Sequence, residues 1–234
     1  MTLKDKLAAQ RIYFLLAALF ITSLVVSNLI FQKFFYWYPF HIELFGTKLF
    51  EISVGILPYP VTFLITDLIS EIYGKKRAND VVIMGIFASL FSLLIVLISN
   101  YVPATAWSPV DDPLFTKVFG GTAIAVTASM MAYLFAQFID IQIFHFWKRL
   151  TKGKHLWLRN NFSTFSSQFV DTLTILLLLC SFNIIEWNKF YGLFISGFLF
   201  KVLIAICDTP FLYLGVYLFE KRFKLKMNEE IELI

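Results

Sequence analysis

The chain has 234 residues, 59% of them hydrophobic and 15% charged, with 28 phenylalanines, a net charge of +4 and a mean hydropathy of +0.74. Water-soluble domains alternate apolar with solvated faces, whereas apolar runs of about 20 residues recur here, the length that crosses a bilayer core of roughly 30 Å. This excludes a soluble domain, and the bases, gathered in short groups between the runs, fit orientation in a membrane and exclude a nucleic-acid partner.

Six spans are predicted, in an all-α polytopic membrane protein with one transmembrane domain over residues 1–234. The first, about Arg11 to Gln32, follows Lys4 and Lys6 but is too long for a signal-peptide core, and no small-residue cleavage pattern follows, so it is read as a retained helix. The second, about Leu49 to Tyr73, carries "LPYPVTF" with Pro58 and Pro60 near its middle. Each proline removes a backbone donor and crowds the preceding turn, so a kink or opening is expected there, with carbonyls freed for binding and gating. The third runs from about Asp80 to Ser99. The excursion Asn100 to Phe119 then holds Pro103, Pro109, Pro113 and the pair Asp111–Asp112, as a rigid surface loop or a gate over an outer mouth. The fourth, fifth and sixth spans are about Gly120 to Phe146, Phe162 to Phe182, and Phe190 to Phe219, the last with Pro210 inside it. Six spans divide into two three-span halves that would cross in opposite senses, the arithmetic of an inverted repeat.

Cytoplasmic loops are enriched in Lys and Arg, which tests this division independently. Fifteen of the 20 bases lie on one side: three at the N-terminus, three in Lys75 to Arg77, five between Lys148 and Arg159, and four between Lys221 and Lys226. The other side holds Lys33, Lys48, Lys117 and Lys189, and Lys201 falls within the sixth span. Both termini are therefore expected in the cytoplasm. Interfacial aromatics agree, with Tyr36, Trp37, Tyr38, Trp107, Trp187 and Tyr191 outside and Trp147 and Trp157 inside.

Inside the spans sit Asp67, Glu71, Gln137, Asp140, Thr164, Gln168, Asp171, Lys201 and Asp208. A charge near the bilayer centre costs at least ~2.5 to 3.5 kcal/mol, so these groups must face protein or water. At ~1.5 Å per residue Glu71 lies about 6 Å and Asp67 about 12 Å inside the cytoplasmic boundary, Asp140 about 10 Å, and Asp171 and Asp208 near the midplane. Asp67 and Glu71 are four apart, Gln137 and Asp140 three, Thr164 and Gln168 four, Gln168 and Asp171 three, and Lys201 and Asp208 seven, so each span gathers its polar groups on one stripe. Four stripes turned inward line a cavity for a polar solute. Four interior aspartates against Lys201 alone take up protons or attract cations, which points to proton or sodium coupling.

Catalytic and metal patterns are missing. His41, His145 and His155 lie at or outside the boundaries, Cys180 and Cys207 sit in apolar runs, and there is no HExxH pair, phosphate loop or nucleophile elbow, so no metal, cofactor or enzyme activity is expected.

"LPYPVTFLITDLISEIYGKKRA", Leu57 to Ala78, resembles the signature of the queuosine precursor transporters, a bacterial inner-membrane family also grouped under vitamin uptake. "LRNNFSTFSSQFVDTLTI", Leu158 to Ile175, resembles its second hallmark. The resemblance carries over Asp67, Glu71, Tyr73 and Gly74 from the first motif, and Arg159, Ser163, Thr164, Gln168, Asp171 and Thr172 from the second. It implies a secondary transporter importing 7-deazaguanines such as 7-cyano-7-deazaguanine. Such a ring presents N–H donors beside a carbonyl, which Asp171 with Gln168 would answer, with Tyr59, Phe63 or Phe169 against its face. Arg159 is expected to help close an inner gate. The rival readings are a substrate-binding subunit of an ATP-driven vitamin uptake complex and an intramembrane enzyme. The implied partners are the purine-like solute and membrane lipid, and a homodimer is compatible with the sequence.

Overall fold

The computed structural model describes residues 2–30, 33–36, 43–44, 47–48, 51–120, 123–152, 154–182, 186–226 and 229–232. Trp37, Tyr38 and His41 lie outside the described residues. Helix α1 (Leu3–Ile30) leads into β1 (Phe34–Tyr36), which pairs antiparallel with β4 (Glu51–Ser53), Phe34 opposite Ser53; β2 (Glu43–Leu44) and β3 (Thr47–Lys48) pair between them. A 3-10 turn, Val54–Ile56, then leads to α2 (Tyr59–Ile72) and α3 (Gly74–Tyr101). The short α4 (Asp112–Phe115) and a π turn, Thr116–Gly120, precede the long helices α5 (Ala123–Leu150), α6 (Leu156–Ser181) and α7 (Phe190–Phe223). Five segments among the described residues are long and apolar enough to cross a membrane: Leu3–Ile30, Val54–Ile72, Gly74–Tyr101, Leu156–Ser181 and Trp187–Phe223.

Several expected boundaries shift, for identifiable reasons. The expected second span starts at Leu49, outside the described residues; its stretch Glu51–Ser53 is strand rather than helix, taken up by pairing with β1. Pro58 and Pro60 do not break a helix. Pro58 is the cap of α2 and Pro60 lies in its first turn, where a missing N–H forfeits no intrahelical bond. At 14 residues α2 spans ~21 Å, so it begins well inside the layer that α1 and α3, 28 residues each, can cross. Pro210, in contrast, lies inside a continuous α7. Lys75 to Arg77 form the first turn of α3 rather than a loop, and α5 and α6 leave only residues 151–155 between them, which puts Arg159 on a helix. In the excursion after α3, Asp111 caps α4 by accepting from the Leu114 N–H at 2.9 Å, and Asp112 accepts from the Ala104 N–H at 2.8 Å.

The α2–α3 corner is built by Tyr73 and Gly74. The Tyr73 N–H closes α2 on Ile69 O at 2.8 Å, its hydroxyl donates to Ala9 O of α1 at 2.8 Å, and Gly74 turns the chain at φ +82°, a conformation that favours glycine. A Cβ on Gly74 would also run into the Glu230 carboxylate, because the C-terminal segment folds back here: the Ile231 N–H donates to Ile72 O at 2.8 Å and its side chain is buried in the core.

The apolar core joins Phe20 and Leu24 of α1, Ile69 of α2, Val81 and Val82 of α3, Phe144 of α5 and Leu212 of α7. At Gly85 a Cβ would stand 2.8 Å from a Phe20 ring carbon, so glycine lets α1 and α3 approach closely. Large apolar side chains point outward, among them Leu15, Phe87, Phe91 and Phe211, while many polar ones point inward. Lipid is as apolar as the outward face, which makes this inversion stable.

Candidate functional site

The inward polar groups come chiefly from α6, whose buried positions are Leu156, Arg159, Asn160, Ser163, Thr164, Ser167, Gln168, Asp171, Thr172, Leu176 and Cys180. Alternating steps of three and one keep them on one stripe of a 3.6-residue helix. Against this stripe pack α5 on one side and α7 on the other, with α2 in contact with both.

Between the start of α2, the middle of α6 and α7 lies a narrow cleft with a cavity volume of about 20 Å³, room for about one water molecule. Thr164, Gln168, Lys201 and Asp208 line it beside Phe63, Phe200, Pro60, Ile56, Ile204 and Ala205, and the surface it exposes is apolar. The Lys201 ammonium pairs with Asp171, which is itself buried. The Gln168 side-chain oxygen is buried with no hydrogen-bond donor. The seven-residue spacing of Lys201 and Asp208 thus brings both to one cavity, together with Thr164, Gln168, Phe63 and Pro60.

The other expected site residues stand behind this wall. Asp67 and Asp140 meet each other across α2 and α5, each at most 2% exposed. Gln137 donates to the Thr66 hydroxyl at 2.5 Å. Phe169 faces outward, 44% exposed, edge-on to Phe194 and Phe198 at 5.4 and 5.7 Å, so it does not wall the cavity. The side chain of Tyr59 lies outside the described residues.

A third cluster lies one turn further along α2. Glu71 is bound by the Arg159 guanidinium, and Lys148 Nζ stands 3.6 Å from its other oxygen and 3.3 Å from Glu230 Oε1. Lys148 also donates to Glu71 O at 3.3 Å. Arg159, 1% exposed, sits 5.6 Å over the Phe144 ring. This corrects two expectations. Glu71 is held in an ion-pair cluster rather than in the cavity lining, and Lys201 is not the only interior base. Lys148 and Glu230 carry no local sequence signal, since they lie 82 residues apart; Ser163 entered through the family motif, and Ser167 joins it on the buried stripe of α6.

With Glu71 answered by Arg159 and Lys148, and Asp171 by Lys201, no salt bridge among the described residues reaches Asp67, Asp140 or Asp208. Buried acceptors without donors gather here: Asp67 Oδ1, Asp140 Oδ2, Gln137 Oε1 and Gln168 Oε1. Unmatched buried acceptors are costly, and what they lack is a donor: a proton, a cation or the N–H edge of a ligand.

A family model described as "Putative vitamin uptake transporter" matches residues 53–215, a stretch that holds the whole cavity wall and ends before Glu230. The chain is 28% identical over 173 residues to the "Probable queuosine precursor transporter" of Bacillus subtilis (strain 168), covering 74% of this chain and 73% of that protein. It is 28% identical over 164 residues to the "Queuosine precursor transporter" of Escherichia coli (strain K12), covering 67% and 69%. No solved structure matches it significantly. These relatives are named transporters and not enzymes, and with the apolar helices they make the chain a multi-pass protein of the bacterial inner membrane.

Proposed function

Because the chain belongs to the vitamin uptake transporter family, we propose that it imports a queuosine precursor, a 7-deazaguanine such as 7-cyano-7-deazaguanine, through the cavity between α2, α6 and α7. The carrying observation is that cavity's wall. In this reading the cleft opens to admit a flat bicyclic ring between Phe63 and Phe200, its N–H edge toward the Asp208 carboxylate and its carbonyl and remaining donors toward Thr164 and Gln168. Asp208 here takes the part that the sequence suggested for Asp171, because Asp171 is occupied by Lys201. Lys201 and its Asp171 partner neutralise each other, which leaves the Asp208 carboxylate to receive the donors of the solute.

In this reading α5 is the fourth of six spans, both termini are cytoplasmic, and α1–α3 and α5–α7 are the two inverted halves. The early start of α2, with prolines in its first turn, leaves a helix end beside the cavity, as in transporters built from broken helices. The cluster of Glu71, Arg159 and Lys148 forms the inner gate. An ion gradient drives the cycle. The test is uptake of labelled 7-cyano-7-deazaguanine into liposomes holding the purified chain alone, paired with precursor-dependent queuosine formation in a strain unable to make the precursor. Uptake by the chain alone separates a carrier from a binding subunit that needs an ATP-driven partner; absence of both activities refutes the reading.

A further inference from the structure

Behind the cavity wall lies a second polar centre that the solute does not need. Asp67 of α2 and Asp140 of α5 are neighbouring carboxyl groups, 2% and 0% exposed, and no salt bridge among the described residues reaches either. Two neighbouring carboxyl groups buried without a base avoid mutual repulsion when one of them carries a hydrogen, which can then bridge the pair. The surroundings suit that state. Ser167 Oγ donates to Asp140 Oδ1 at 2.9 Å, while Asp67 Oδ1 and Asp140 Oδ2 are buried without a donor. No group of three or more His, Cys, Asp and Glu that could hold a metal ion occurs among the described residues.

The charged groups that face the pair come from three elements. Asp208 of α7 and Glu71 of α2 are in electrostatic reach of Asp67, as is Arg159 of α6. Asp208 lines the cavity and Arg159 is bound to Glu71 in the inner cluster.

We propose that Asp67 and Asp140 are the proton site of this carrier, one proton held between the two carboxyls while α2 and α5 are closed together. When the helices part, the O–H bond breaks and the proton leaves to water, giving two carboxylates that repel; rebinding a proton restores the bridge. No oxidant or further reactant takes part. This rests on the transport reading of the cavity for its link to solute movement, but not for the existence of the site.

Two measurements test it. Infrared spectra of the purified protein are expected to show the carbonyl stretch of a protonated carboxyl group at neutral pH, lost in Asp140→Asn and in Asp67→Asn. In liposomes, an inward proton gradient of about one pH unit should raise accumulation of labelled 7-cyano-7-deazaguanine about tenfold at one proton per solute. Asp140→Asn should lose that response and keep solute exchange without a gradient. Absence of the wild-type band, its persistence in both asparagine variants, or a wild-type gradient response in Asp140→Asn overturns the proposal. If the wild type neither binds nor exchanges the probe, the transport reading fails, and the infrared band still decides the proton site. If Asp140→Asn does not fold, Ser167→Ala removes only a hydroxyl donor to Asp140 and should shift the band; an unshifted band overturns the pairing.

Discussion

Helices α3 and α6 are nearly equal in length, 28 and 26 residues, yet bury opposite chemistries. The buried face of α3 is Gly74, Ala78, Val81, Val82, Gly85 and Ser89, small and mostly apolar. That of α6 runs through Arg159, Asn160, Ser163, Thr164, Ser167, Gln168 and Asp171. Both turn their bulky apolar side chains, such as Phe87 and Phe91 or Phe162 and Phe169, to the outside. In lipid, the outward face says little about a helix's part in the molecule, because any apolar residue serves there. The inward face is what distinguishes the two helices.

Four substitutions would break or sharpen this contrast. The largest effect is expected for Arg159→Ala on α6, which leaves Glu71 buried with only Lys148 to answer it; removing one partner of a buried pair costs about 3–5 kcal/mol. Denaturant unfolding in detergent reads it, and exchanging Glu71→Gln in the same chain should return part of the loss. Next, Gln168→Ala should weaken solute binding by ~5- to 150-fold, the loss of a hydrogen-bonding group worth about 1–3 kcal/mol, with little change in unfolding. A ligand-binding titration beside a melting curve separates the two. Gly85→Leu on α3 should do the reverse: overpacking against Phe20 destabilises by about 1–3 kcal/mol, while the affinity for the solute stays at the wild-type value. Smallest is Phe87→Leu on the outward face of α3, 70% exposed, expected within about 0.5 kcal/mol of wild type in the same unfolding assay.

How much of this the sequence carries depends on whether a signal is local. The α6 stripe is local: polar residues at steps of three and four on one helix must share a face, and Thr164, Gln168 and Asp171 are all buried together. Lys201 and Asp208 follow the same rule to one cavity wall. The prolines of "LPYPVTF" do not, because proline both kinks a helix interior and opens a helix, and the choice here is made by β1 claiming residues 51–53 from a distant part of the chain. The cluster of Glu71, Lys148, Arg159 and Glu230 joins four separated stretches, so its bases read as orientation signals until the helices are packed. Among 28 phenylalanines only packing could separate Phe63, in the cavity wall, from Phe169, which faces out.

The backward fold of the C-terminal segment has a consequence for biogenesis. Ile231 fills the apolar core beside Ile72, and Glu230 supplies the outer partner of Lys148, yet both are synthesised after all seven helices. Chains emerge from the ribosome N-terminus first, so the corner between the second and third helices waits, incomplete, through the insertion of everything that follows. A nascent protein stalled or clipped before residue 230 would carry every helix and still lack the bolt that fastens its earliest bend.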